Sequence, residues 1–298
     1  VGNKLLEYVR GAAVPFPSGA AQAELFDTVL GVAIDRFNRL WTIDHGNHGL
    51  RPARIVAIDL NTNEVLRHQA LSPDIAPAGS FLQDLQVSVD GGTIVIADAS
   101  FWRKSPAIIV YDVETGEARR VLESHASVSA ENYMIRSQER DMEFLGGIAA
   151  LRGGVDGIAL DHEWLYFGAL SGSSLFRVKL SDLRDKKLPP GQLANRVERY
   201  SDKPLSDGLS IDLEGNIYIT DVEHNSVFVV GESRELKTLV RSPDIRWPDA
   251  LSFGPGGYLY IADSALPELI LQSREHIDAN GPYRIFRFRP GFDGVPGQ

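Results

Sequence analysis

Leu205 to Val230 reads LSDGLSIDLEGNIYITDVEHNSVFVV, and this stretch decides the fold. An Asp-Gly entry leads to apolar residues at alternate positions (Leu209, Ile211, Leu213), a Glu-Gly-Asn turn, and a second alternating run at Ile217 and Ile219. A polar loop follows, then a third apolar run at Val227 to Val230. Side chains alternate between the two faces of a strand, so a period of two broken by Gly/Asn turns marks half-buried antiparallel strands. The stretch is a three-stranded meander, with a fourth strand expected at Lys237 to Val240.

The template recurs as LGVAIDRFNRLWTID (Leu30 to Asp44), QDLQVSVDGGTIVIAD (Gln83 to Asp98), VDGIALDHEWLYFG (Val155 to Gly168) and PDALSFGPGGYLYIAD (Pro248 to Asp263). One small sheet repeated at roughly 40 to 70 residues is the pattern of a β-propeller. A lone four-stranded sheet cannot bury both faces, so the blades must stack around an axis. We expect an all-β, six-bladed β-propeller forming a single domain over residues 1–298. Five inner strands are visible, and the runs Lys4 to Val9 and Ala12 to Phe16 read as the outer half of a sixth blade whose inner half would precede Val1.

Residues 123–154 break the rhythm and read as an inter-blade insertion, either a passive surface loop or a lid over the channel. The Pro-rich segment Lys186 to Gln192 reads as the link between the third and fourth units, and the Pro/Gly-rich tail after Arg289 as frayed.

The 298 residues are 43% hydrophobic, ample for a large core, and carry a net charge of −10. That balance excludes a phosphate-neutralising surface, so no nucleic-acid partner is expected; it favours a cation or amine held by carboxylates. Without cysteine there is no thiol catalysis. No apolar run reaches bilayer length, so no membrane partner is expected. A chain that begins at Val1 points to a start further upstream, with a secreted or periplasmic setting favoured over the cytoplasm. There is no G-x-S-x-G elbow, P-loop, dinucleotide fingerprint or H-E-x-x-H, and neither a nucleotide nor an organic cofactor is expected.

Aligning the units places Leu30, Asp84, Asp156, Asp207 and Asp249 at the starts of the inner strands, where side chains line the mouth of a propeller channel. Carboxylates facing one space repel unless a cation sits among them or one is protonated. A divalent ion with oxygen ligands, Ca²⁺ above all, is the natural occupant, held by Asp156, Asp207 and Asp249. The alternative is that each aspartate caps amides of its own blade. A second ring, Asp44, Asp98, Asp221 and Asp263 with Gly168 in the third unit, ends the second strands and reads as structural, joining blade to blade.

Beyond that ring, Asp44-His45-Gly46-Asn47-His48 and Glu223-His224-Asn225 offer imidazoles beside carboxylates, a pairing suited to proton transfer. His45, His224 and Asp207 are the candidate catalytic groups; Asp84, Glu223, Trp102 and Trp247 are candidate substrate contacts, with Phe101 and Tyr133 completing an aromatic wall. The expected partner is a small molecule.

The ordered set of LGVAIDRFNRLWTID, RPARIVAIDLNTNEVLR, VDGIALDHEWLYFGALSGSSLFRV, SDGLSIDLEGNIYITDVEHNSV and WPDALSFGPGGYLYIADS resembles the yellow/major royal jelly protein family in its bacterial form, from about Tyr8 to Phe288. The resemblance implies a six-bladed propeller related to the gluconolactonases. It also implies dopachrome conversion, biogenic-amine binding, or nutritive and signalling roles. In the lactonase relatives a divalent metal is held at inner-strand starts, and Asp156 and Asp207 match those positions. Leu30 stands where those relatives place a glutamate ligand, a departure from their pattern. Two readings follow: an enzyme acting on a small cyclic metabolite, by lactonase-like hydrolysis or dopachrome-type tautomerisation, and a non-catalytic binder of biogenic amines or similar cations.

Overall fold

The computed structural model describes residues 4–144 and 149–298. After a hairpin β1 (Leu6–Val9) and β2 (Ala12–Pro15), the chain builds five blades. The first is β3 (Val29–Ile34), β4 (Arg39–Asp44), β5 (Arg54–Asp59) and β6 (Val65–Ala70). The second is β7 (Leu82–Val87), β8 (Thr93–Asp98), β9 (Ala107–Asp112) and β10 (Ala118–Val121). Four two-residue strands, β11 (Arg136–Ser137) to β14 (Ala149–Ala150), lie in the insertion, whose residues 145–148 are outside the described residues. The third blade is β15 (Val155–Leu160), β16 (Trp164–Ala169), β17 (Ser174–Lys179) and β18 (Glu198–Asp202). The fourth is β19 (Leu209–Ile211), β20 (Ile217–Asp221), β21 (Ser226–Val230) and β22 (Leu236–Arg241), and the fifth is β23 (Pro248–Gly254), β24 (Tyr258–Asp263) and β25 (Arg284–Phe288).

The core lies between blades as well as along the axis. Ile43, Ile55 and Ala57 of the first blade pack on Leu85, Ile96 and Tyr111 of the second. Val95 and Ile108 meet Ile158, Leu165 and Phe167; Tyr166 and Leu175 meet Ile211 and Ile219; Val227 and Tyr218 meet Leu251 and Leu259. The strands just named thus bury apolar side chains against the next blade, and neighbouring inner strands sit side by side from β3 through β7, β15 and β19 to β23.

Five blades form where six were expected. The β1–β2 hairpin forms a sheet of its own and is mostly exposed, while Phe16, Leu25 and Phe26 just after it pack on Leu40, Val56 and Ile58 of the first blade. Leu30, Val32 and Ile34 along one face of β3 stay exposed, as does Ile285 of β25.

Two connections also differ from the sequence reading. Residues 186–192 lie inside the third blade, between β17 and β18, because the fourth strand of that blade comes only at Glu198. The tail is ordered by the channel: Val295 N–H donates to Ile211 O (3.1 Å), Phe253 N–H to Gln298 O (2.9 Å), and Leu160 N–H to Gln298 Oε1 (3.1 Å). Gln298 Nε2 donates to Gln86 Oε1 at 2.7 Å, so the buried Gln298 is held between inner strands and borders the same space as their starts. Among the described residues no helix is long and apolar enough to cross a membrane.

Candidate functional site

Inner-strand starts are aimed by a repeated irregularity. In β3, β7, β15 and β23 the register against the next strand slips between Val29 and Val32, Leu82 and Leu85, Val155 and Ile158, and Pro248 and Ala250. An extra residue of this kind bends a strand and re-aims its side chains. Here it turns Asp84, Asp156 and Asp249 towards the axis, where they join Asp207 and Leu30 around one space of about 250 Å³. The glycine that follows two of these aspartates has a reason in packing. A Cβ on Gly157 would lie 2.5 Å from Asp207 O, and one on Gly208 would collide with Asp249 O, so each glycine lets the next blade press its aspartate backbone close.

Four carboxyl groups in this confined space shift upward together. Burial raises Asp84 to about 7, with a further push from Asp249, although its oxygens accept the N–H groups of Ile158 (3.1 Å) and Leu85 (2.7 Å). Asp156, 3% exposed, is held well above the usual carboxylate range by burial and then by the charges of Asp207, Asp249 and Asp84. Its Oδ2 has no donor partner. Asp207 is also driven up by burial and Asp249, against the indole N–H of Trp247. Carboxyl groups crowded into one buried space favour protonation of some of their number, which is the direction in which Asp156 and Asp207 both move. Asp249 is raised by burial, eased by Ser264.

The metal expectation fares less well. Asp207 Oδ2 is taken by Trp247, both oxygens of Asp84 serve backbone amides, and the fifth position is Leu30. Among the described residues no three carboxylates or imidazoles are set to hold an ion. This arrangement does not fit a resident Ca²⁺ on Asp156, Asp207 and Asp249.

Asp156 also faces a second space. A cavity of about 440 Å³ is walled by Phe81, Phe101, Trp102, Phe144, Leu151 and Leu170, with His48, Gln83 and Asp156 as its polar members. Trp102, 60% exposed, stands at its rim, where a substrate contact was expected. His48 tilts against Phe81 with ring centroids 4.4 Å apart, and its Nδ1 is buried without a partner. The insertion roofs this region: Ile135, Met142, Phe144 and Leu151 pack on Leu170, Leu205, Val222 and Trp247.

Other candidates take structural posts. Trp247 is fully buried and serves Asp207 instead of meeting a ligand. His45 is buried, its Nδ1 accepts His48 N–H at 2.8 Å, and burial followed by His48 lowers it to about 4; it is a neutral acceptor that shapes the loop. His224, whose side chain is largely exposed, bonds Asp221 at 3.0 Å on the fourth blade, and Glu223 accepts Arg136 N–H at 2.8 Å, anchoring the insertion. None of these lines the acid channel or the apolar cavity. The second acid ring is structural, but within blades: Asp98 accepts Phe81 and Ser100 N–H, and Asp263 accepts Arg246 and Trp247 N–H, each clamping the loop that enters its own inner strand. Sequence reasoning missed Lys203, buried close to Asp156 and Asp207; the one signal was Gly168, the single break in that ring.

A ring of acids around the inner ends of blade-built sheets defines a β-propeller. The major royal jelly protein family model matches residues 27–285, and the chain belongs to that family. No curated protein matches it by sequence. Among solved structures it is similar to a luciferin-regenerating enzyme (11% identity, 91% of this chain and 81% of that one, TM-score 0.60). It is also similar to a gluconolactonase from Xanthomonas campestris (17% identity, 80% and 70%, TM-score 0.50) and to a chain of a nidogen/laminin complex (13%, 87% and 80%, TM-score 0.55). Two enzymes and a chain of a nidogen/laminin complex share the fold, so at these identities the likeness speaks for the fold alone.

Proposed function

We propose that the protein is an enzyme that moves a proton on a small, flat, cyclic substrate, a dopachrome-type tautomerisation. The observation that carries this reading is Asp156: it lies on the wall common to the apolar cavity and the acid channel, with one oxygen unpartnered. A ring held among Phe81, Trp102 and Leu170 would present its edge to the Asp156 carboxyl group. The Asp156 carboxylate takes the proton from a ring carbon and gives it back to the carbonyl oxygen, with Asp207 beside it in the same space; bonds and charge balance without water. Groups whose pKa values lie near neutrality suit such transfers, and burial has moved these carboxyls in that direction.

The reading is tested by following dopachrome loss and δ-lactone hydrolysis with the wild type and Asp156→Asn, with and without chelator. We expect chelator-insensitive dopachrome turnover that falls about 100-fold in the variant. Lactone hydrolysis lost on chelation would replace this reading with the lactonase one. Tight amine binding without turnover would replace it with the binder.

A further inference from the structure

Gly168 is the one position in the outer acid ring without a carboxylate, and Lys203 occupies the space. A Cβ on Gly168 would lie 2.5 Å from Lys203 Cε and 3.1 Å from its Cδ, so the aliphatic stem runs where a side chain would otherwise stand. Lys203 follows β18, and its N–H donates to Ser173 O at 3.0 Å, fixing the backbone where the stem turns inward. The residue is 4% exposed. Its Nζ donates to Pro204 O (2.9 Å) and Ser206 Oγ (3.3 Å), both in the segment that carries Asp207 into the channel. No carboxylate is in direct contact with it among the described residues; the acids that surround it are Asp156, Glu131, Asp207 and Asp221.

Taking an ammonium out of water costs several kcal/mol, which only a negative field offsets. Four aspartates facing one another are relieved by protonation or by positive charge nearby, for the same reason. We propose that Lys203 is the resident cation of the acid ring, filling the electrostatic role of a divalent ion, and that the missing side chain at Gly168 is what admits it. Burial, partly offset by the four acids, lowers Lys203 to about 7, so its charge is present below neutrality. The misfit between the carboxylates and a metal then has a cause: part of the compensating charge is already built in, as an ammonium delivered from the third blade. The inference rests on the acid ring and not on turnover.

Terbium(III), a hard oxygen-seeking cation whose emission a nearby indole sensitises, is the probe, because Trp247 Nε1 sits 2.6 Å from Asp207 Oδ2. Titrations at about pH 6, where Lys203 is charged, compare the wild type with Lys203→Met and Lys203→Arg. We expect Lys203→Met to bind terbium at least about tenfold more tightly than the wild type, with Ca²⁺ competing, and Lys203→Arg to stay at the wild-type level. Equal affinity in the wild type and Lys203→Met overturns the proposal, as does a wild type that already holds the ion tightly. If Lys203→Met does not fold, Gly168→Ala, whose methyl displaces the stem, takes its place with the same expected gain; a folded Gly168→Ala with wild-type affinity overturns it equally. Failure of the tautomerase reading would leave these titrations unchanged.

Discussion

Trp247 Nε1 donates to Asp207 Oδ2 at 2.6 Å, joining residues 40 apart in sequence at the start of the fourth inner strand. The indole N–H stabilises the charged carboxylate and so opposes the upward pull of burial and Asp249. Replacing Trp247 with Phe keeps the ring and removes that donor. Asp207 should titrate still higher, moving the acidic limb of any pH–rate profile to higher pH. Leaving a buried acceptor unsatisfied should also cost about 1–3 kcal/mol of stability. A pH profile unchanged from the wild type would show that the bond does not act on Asp207.

Asp84 makes stability depend on pH. Its pKa is raised from 3.8 to about 7 in the folded chain, so between those values the folded state holds a proton that the unfolded state has lost. Stability from this group is therefore greatest near the acidic end of that window and declines as pH rises through it. Asp84→Asn removes the titration and keeps an oxygen for the Ile158 N–H. Urea unfolding from about pH 4.5 to 7.5 should show a shallower decline in the variant; parallel curves would sink the assignment.

Much of this was legible in the chain. Alternation at Leu209, Ile211, Ile217 and Ile219 gave strands that form, and the aligned Asp84, Asp156, Asp207 and Asp249 do share one space. Alignment of repeats reaches that far because one backbone geometry recurs in each unit. It says nothing about what meets a side chain from outside its unit. Trp247 reads as an aromatic ready for ligand until its partner Asp207 is seen, and the tail reads as loose until Gln298 is found between Leu160 and Gln86. Blade number failed for the same reason: the first strands have the pattern of a blade, but a sheet needs partners that periodicity cannot supply.

Gly157 offers a test of how closely the aspartate ring is packed. Its missing Cβ leaves room for Asp207 O and Gly208, both backbone atoms that cannot rotate away. Gly157→Ala should push the third and fourth inner strands apart and destabilise by about 1–3 kcal/mol, as over-packing does. Gly191, with nothing within 4 Å, is the control, and Gly191→Ala should leave the melting temperature close to that of the wild type. Equal melting temperatures for the two variants would show that the strands can separate without loss.

Leu170 and Trp102 line the apolar cavity together with Asp156, and substitutions there test ligand binding without touching that carboxyl group. Leu170 is buried and faces the cavity of about 440 Å³, so Leu170→Phe extends a ring into open space and blocks a flat ligand. Trp102 is exposed and packs edge-on to Phe101 with centroids 4.8 Å apart; Trp102→Ala removes part of the clamp with little effect on folding. Loss of such a stacking surface should weaken ligand binding by about 0.5–1.5 kcal/mol, or roughly two- to tenfold. Leu170→Phe should abolish binding of a dopachrome-sized ring while melting like the wild type. Both effects are read by equilibrium titration of the ligand beside thermal unfolding. Full-strength binding in Leu170→Phe would place the ligand outside this cavity and separate Asp156 from the proposed chemistry.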